Sequence, residues 1–271
     1  MSLPNDGLDR LEALRKRLGF WVDALRVRQI LTWLLVRIPV RVGSSPTRVR
    51  IRCWSDILAF IEIFRVGIYD PVFDGKGVET YCDLGCQSGL ALLRLGARSG
   101  PPKHAVLVDG NPLAVKRCRE NVRLAGVKDV HVVHGAVGCD RKNCGTFVQF
   151  TVRPNELECA LGVPNQDDTS ASAVDVPVID LEKLWLESVG DVPCDLLKMD
   201  IEGAELGVLR YDSVFLARVR RCVLEWHDPP ASRDAVSDLL QKVGFTDITV
   251  ICQGEKSGVL YCQRVAQGSI D

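Results

Sequence analysis

The sequence predicts an α/β protein built on a parallel sheet. From Val78 onward, short apolar runs ended by glycine or aspartate alternate with amphipathic helical segments. Breaker clusters such as Ser99-Gly100-Pro101-Pro102 separate the units. Strands joined through helices become parallel neighbours with right-handed crossovers. The chain has 271 residues, 46% of them hydrophobic and 25% charged, which suits one large domain with a sizeable core. Composition excludes disordered, collagen-like and coiled-coil chains.

Residues 1–70 read as a helical N-terminal extension or lid. Leu8, Leu11, Leu14, Leu18, Trp21, Val22 and Leu25 recur at helical spacing, and a helical region is predicted to about residue 40. Thr47–Cys53 is a short strand, with Val49 and Ile51 alternating with arginines. Trp54–Arg65 is a further helix. Residues 71–271 form the α/β domain. Val78–Leu84 is its first strand, Gly89–Ala97 a helix, and Ala105–Val108 a buried strand ending at Asp109. Asn111 caps the next helix, Pro112 opens it and Gly126 stops it. Val130–Val133 is a third strand. The alternation then breaks over about 138–178, which carries strand-like Thr146–Val152 and a polar stretch at Pro164–Ser172. This segment reads as an insertion on the acceptor side, since functional lids are often long loops of this kind. The helix Leu181–Ser188, the strand Asp195–Met199, a helix from Gly203, the strand Arg221–Trp226, the helix Arg233–Val243 and a hairpin of Thr246–Cys252 with Val259–Arg264 complete the chain.

Charge is unevenly spread. Residues 1–52 carry a net +7 and residues 53–271 a net −8, within an overall −1. The basic amphipathic segment suits an acidic partner, a membrane surface, a lid or an arm for a homodimer. Its longest apolar run is too short to span a bilayer, and no signal-peptide pattern opens the chain. The eleven cysteines include no CxxC pair. Cys82, Cys118, Cys194, Cys222, Cys252 and Cys262 lie in apolar stretches and read as buried free thiols of a cytoplasmic protein. Cys139 and Cys144 lack the second pair that a zinc site needs.

Asp83-Leu84-Gly85-Cys86-Gln87-Ser88-Gly89 follows the first strand of the α/β region. Ligands in open α/β sheets bind outside the carboxyl ends of the strands, and glycines there let backbone approach the ligand. The spacing D-x-G-x-x-x-G departs from the dinucleotide pattern. An acid before the loop suits a cationic amino-acid moiety better than a pyrophosphate, and S-adenosylmethionine carries such a moiety. Asp109, at the end of the second strand, is placed to accept both ribose hydroxyls, with Gly110 and Asn111 beside it. Gly135-Ala136 follows the third strand, where its backbone passes the adenine edge.

Leu196-Leu197-Lys198-Met199-Asp200-Ile201-Glu202-Gly203-Ala204-Glu205 resembles the signature of FkbM-type methyltransferases. The lead-in Val176-Pro177-Val178-Ile179-Asp180-Leu181 is similar to theirs, as are Glu120–Leu124 and Leu224–His227. The resemblance covers roughly 78–227. Where that family usually has Asn this chain has Gln87, and Asp109-Gly110-Asn111-Pro112 stands in place of Glu-Pro-Asn-Pro. The resemblance implies a class I, Rossmann-like methyltransferase with a seven-stranded, mostly parallel sheet. It also implies S-adenosylmethionine as cofactor and O-methylation of a hydroxyl on a saccharide or natural-product acceptor. The cofactor would be held by the loop Asp83–Gly89, by Asp109–Asn111, by Gly135-Ala136 and by Asp200.

Methyl transfer to oxygen needs a group that takes the hydroxyl proton. Lys198 and Asp200 share one strand face, as do Glu225 and His227 on the neighbouring strand. His227 is the first candidate base because its ordinary pKa of about 6.5 suits neutral pH. Asp200 and Glu202 are the second. Lys198 and Glu225 complete the catalytic set, and Glu205 complements the following helix dipole. A metal-free mechanism is expected, with a magnesium ion between Asp200 and Glu225 as the alternative. Asp228-Pro229-Pro230 lacks the aromatic of the amino-methyltransferase motif and reads as a strand end. The competing reading is a nucleic-acid methyltransferase whose basic N-terminal segment grips phosphate. A mildly acidic core without interleaved aromatic and basic residues speaks against it.

Overall fold

The alternation read from Val78 onward appears in the computed structural model as one seven-stranded sheet. The structure describes residues 36–74, 77–125, 127–153, 159–163 and 171–264. The amphipathic segment Leu8–Leu25, Gly126 and most of the polar stretch at 164–172 lie outside the described residues.

Among the described residues, Val36–Val42 departs from the helical expectation. β1 (Val36–Val42) and β2 (Ser45–Ile51) pair as an antiparallel hairpin. Val36, Ile38, Val40 and Val42 alternate with Arg37, Pro39 and Arg41, a period of two that a helix cannot use. Gly43, at φ +57°, opens the two-residue turn. Val42, Val49 and Ile51 of the hairpin pack on Leu90 and Leu93. α1 (Trp54–Phe60) continues into a π-helical turn over Ile61–Val66, and the short α2 (Asp70–Phe73) follows.

The main sheet uses β3 (Thr80–Leu84), β4 (His104–Asp109), β5 (Val130–His134), and later β9 (Leu196–Met199), β10 (Arg221–His227), β11 (Asp247–Gln253) and β12 (Ser257–Gln263), in the order β11-β12-β10-β9-β3-β4-β5. The five strands from β10 to β5 run parallel, and β12 and β11 pair antiparallel at the far edge. α3 (Leu90–Ser99) and α4 (Pro112–Ala125) connect the first three parallel strands. Asn111 caps α4 through its Oδ1, which accepts from Leu113 N at 2.9 Å. α5 (Leu181–Ser188), α6 (Glu205–Tyr211), α7 (Ser213–Ala217) and α8 (Arg233–Lys242) serve the second half. One core face gathers Trp185, Phe215, Trp226 and Phe245, and the opposite one gathers Tyr69, Phe73, Tyr81 and Leu92.

The chain leaves β3 toward β4 and β5, then returns to the other side of β3 with β9 and β10. That reversal opens a crevice at the carboxyl ends of β3 and β9, where ligands bind in such sheets. The insertion at 138–178 is more regular than expected. β6 (Phe147–Val152), β7 (Ala160–Leu161) and β8 (Ser172–Pro177) form a small antiparallel sheet in the order β7-β6-β8. It docks beside β5 through the bridge between Ala136 and Val178. All eleven cysteines are free thiols, and the six placed in apolar stretches are buried. No helix among the described residues is long and apolar enough to cross a membrane.

Candidate active site

The loop after β3 turns back on the sheet because Gly85 adopts φ +76°. A Cβ there would stand 1.7 Å from the carbonyl oxygen of Asp200, so only glycine lets these two strand ends meet. Gly85 and Cys86 donate their N–H groups to Val108 O at 2.9 and 3.1 Å. Gln87, also left-handed at φ +46°, donates its N–H to Asp109 Oδ2 at 2.8 Å. Asn111 N donates to Asp109 Oδ1 at 2.8 Å. Two backbone donors therefore fix the Asp109 carboxylate, while each oxygen keeps a further lone pair for a ligand. Burial pushes its pKa up, and these bonds oppose the shift.

A pocket opens over this loop, its empty space of about 750 Å³ running out into open solvent. Gly85, Gln87, Asp109, Gly110, Asn111, Gly135, Ala136, Asp200 and Glu202 all line it. The structure thus brings most of the sequence-predicted set to one cavity. Phe150, Cys159 and Leu161 of the insertion line it too, next to Gly110, where a Cβ would meet the Phe150 ring at 2.5 Å. The insertion, expected on the acceptor side, is therefore a wall of this same pocket.

Four predicted cofactor contacts lie behind the wall instead. Asp83, Cys86 and Ser88 are buried, and Gly89 starts α3 against Cys118. Asp83 does not line the pocket. Its Oδ1 lies 3.2 Å from Lys198 Nζ, and its Oδ2 accepts from the Tyr81 hydroxyl at 3.2 Å. Lys198 is 4% exposed, donates to Gly85 O at 2.8 Å and lies 3.5 Å from Asp200. Burial works against its charge, but Asp83 and Asp200 outweigh burial and raise its pKa. Lys198 thus ties the loop to the carboxyl end of β9 from inside the core.

The predicted catalytic residues do converge. His227 Nε2 lies 3.9 Å from Asp200, 3.7 Å from Glu202 and 3.8 Å from Glu225. Its Nδ1–H donates to Glu205 Oε1 at 3.3 Å. Glu205 is fully buried and also accepts from Ile201 N at 3.1 Å, so in the first turn of α6 it holds both the imidazole and the turn. Burial lowers the imidazole pKa, but the Glu205 bond and the charges of Asp200, Glu225 and Glu202 drive it up to about 10. The ring is then cationic at neutral pH, the opposite of what a free base needs. Burial and the neighbouring acids raise the Glu225 pKa. Tyr69, 2% exposed, is a neighbour that the motifs did not reveal. Burial raises its phenol pKa first, then the charges of Asp200, Glu225 and Glu62.

Residues 102–246, more than half of the chain, match the model of the FkbM methyltransferase domain. The chain belongs to the FkbM methyltransferase family. Asp109, the segment 198–205 and His227 fall inside the match, whereas the loop at 83–89 and Tyr69 precede it. The fold of this family member is that of a class I methyltransferase, with β3 at the reversal of strand order. Among solved structures, the METTL16 methyltransferase domain aligns with a TM-score of 0.43 at 12% identity, over 79% of this chain and 68% of that one. The Thermus thermophilus 16S rRNA N2 G1207 methyltransferase RsmC, in complex with AdoMet and guanosine, gives 0.43 at 14% identity, over 85% of this chain and 50% of that one. An Aquifex aeolicus SAM-dependent methyltransferase gives 0.41 at 16% identity, over 76% and 93% of the two chains. This chain thus spans half of RsmC. Among curated proteins, no sequence matches it.

Proposed function

We propose that this methyltransferase moves a methyl group from S-adenosylmethionine to a hydroxyl oxygen of a saccharide or natural-product acceptor. The residues of the pocket suit that cofactor. Asp109 offers carboxylate oxygens to the ribose hydroxyls. Phe150, Leu161, Val137 and Ala114 offer an apolar wall for an adenine. Gly85 and Gly110 leave room for close backbone approach. The cofactor supplies an electrophilic methyl: the sulfur–methyl bond breaks, the sulfur keeps the electron pair, and the oxygen–methyl bond forms.

The observation that carries the reading is the group of carboxylates beside this pocket. Asp200 and Glu202 line it, and Glu225 and His227 stand next to them. A neutral hydroxyl must lose its proton as it attacks, and these carboxylates receive it. Such proton transfer contributes about 10²–10⁴-fold. His227 does not line the pocket, and its part is to hold the acids in place. An acidic rim repels a phosphate backbone, which favours a non-nucleic acceptor.

The test is methyl transfer from labelled S-adenosylmethionine to a panel of demethylated glycosides and polyols, with RNA and amines in parallel. Label in an ether linkage is the expected result, and label only in RNA or amines overturns the reading. Calorimetry with the demethylated cofactor should show one site, weakened at least about tenfold in Asp109→Ala, the equivalent of one lost charged hydrogen bond. Unchanged affinity in that variant would remove the ribose role of Asp109.

A further inference from the structure

We propose that Asp200, Glu202 and His227 form a binding site for a divalent cation beside the pocket. This replaces the Asp200–Glu225 pair that the sequence suggested with a different ligand set. One ligand atom from each of the three residues lies within 4.8 Å of the other two. The His227 Nε2 distances of 3.9 Å to Asp200 and 3.7 Å to Glu202 are too long for hydrogen bonds. Adjacent ligands each about 2.1 Å from an octahedral centre stand about 3.0 Å apart, so each gap must shrink by somewhat under about 1 Å. The observed gaps therefore close on a cation with small side-chain movements.

The rest of the arrangement supports this. Nδ1 of His227 donates to the buried Glu205, which fixes the ring so that Nε2 faces the carboxylates. Metal-ligating histidines are commonly held by a carboxylate in this way. Once a cation has displaced the Nε2 proton, two carboxylates with one imidazole suit magnesium or manganese, with water or acceptor oxygens in the open positions.

The chemistry of the inference rests on the hydroxyl-methylation reading, since a cation there would bind the acceptor oxygen and make its proton easier to lose. The proton would pass to Glu225. Binding itself does not depend on that reading. Manganese binding to the full chain, stripped of metal and without cofactor or acceptor, can be followed by electron paramagnetic resonance. One saturable site with imidazole nitrogen coupling in the spin-echo signal is expected. His227→Gln should remove that coupling and weaken binding at least tenfold, with demethylated-cofactor affinity within threefold of wild type. Glu202→Gln should weaken manganese at least tenfold, and unaltered thermal unfolding keeps both variants interpretable. Absence of saturable binding, or binding unaffected by both substitutions, overturns the proposal. A chain that binds manganese but methylates no hydroxyl would sink the acceptor assignment and leave the cation site standing.

Discussion

Lys198 shows how the chemistry of one side chain decides between two roles. A lysine two residues before an acid at a strand end reads as catalytic, but here the ammonium is buried against Asp83 and the carbonyl of Gly85. Its energetic weight lies in that pair. Removing one member of a buried ion pair leaves an uncompensated charge, at a cost of about 3–5 kcal/mol. Lys198→Met should therefore lower the urea unfolding free energy by about that amount. Adding Asp83→Leu should recover a large part of the loss, because the orphaned charge goes too. A single variant as stable as wild type, but inactive, would return Lys198 to the chemistry. Glu205 and Tyr69 illustrate the limit of reading residues along the chain. His227 was legible as a site residue from its place at a strand end. Its partner Glu205 on α6 meets it only once the chain has folded.

At the scale of elements, periodicity carried most of the fold. β3, β4, β5, β9 and β10 each stand within a few residues of their predicted runs, because buried parallel strands are short apolar segments between breakers. The hairpin β1–β2 was missed in part. Its first strand adjoins an apolar run, and the alternation over Val36–Val42 was absorbed into a helical reading. The structure gives that hairpin a task. Asn121 of α4 accepts from Arg50 N at 2.9 Å and donates to Ser88 O at 2.9 Å, so one buried side chain joins hairpin, helix and glycine loop. Asn121→Ala should destabilise by about 1–3 kcal/mol, the cost of leaving buried backbone groups unpaired. Asn121→Asp separates the two bonds: the carboxylate still accepts from Arg50 N but has no proton for Ser88 O. Calorimetry should show weaker demethylated-cofactor binding in both variants if the loop depends on its bond. Loss of stability with cofactor affinity unchanged would confine Asn121 to the hairpin.

For the whole molecule, the fold places acids where their charge has no ready solvent, and stability then depends on pH. Asp212, between α6 and α7, is 7% exposed. Burial, then the charge of Asp180, pushes its pKa up to about 7, with Arg141 and the Gly138 N–H opposing. A carboxyl whose folded pKa lies above its unfolded value of about 4 binds its proton more tightly in the folded chain. Its contribution to stability is complete below about pH 4, shrinks as pH rises, and is gone above about pH 7. The loss is on the order of 3–4 kcal/mol for a shift of this size. Asp212→Asn keeps an oxygen for the Gly138 N–H and carries no charge. Thermal unfolding of the two proteins side by side should therefore diverge from pH 4 to pH 8, with the variant gaining in relative terms throughout. At pH 8 it should melt at least about 3 °C above wild type. The difference between the two proteins, rather than either curve, isolates Asp212 from the other acids that titrate over the same range. A difference that stays flat with pH would mean that Asp212 is ionised in the folded chain at pH 5, and that the Gly138 N–H and Arg141 together outweigh its burial.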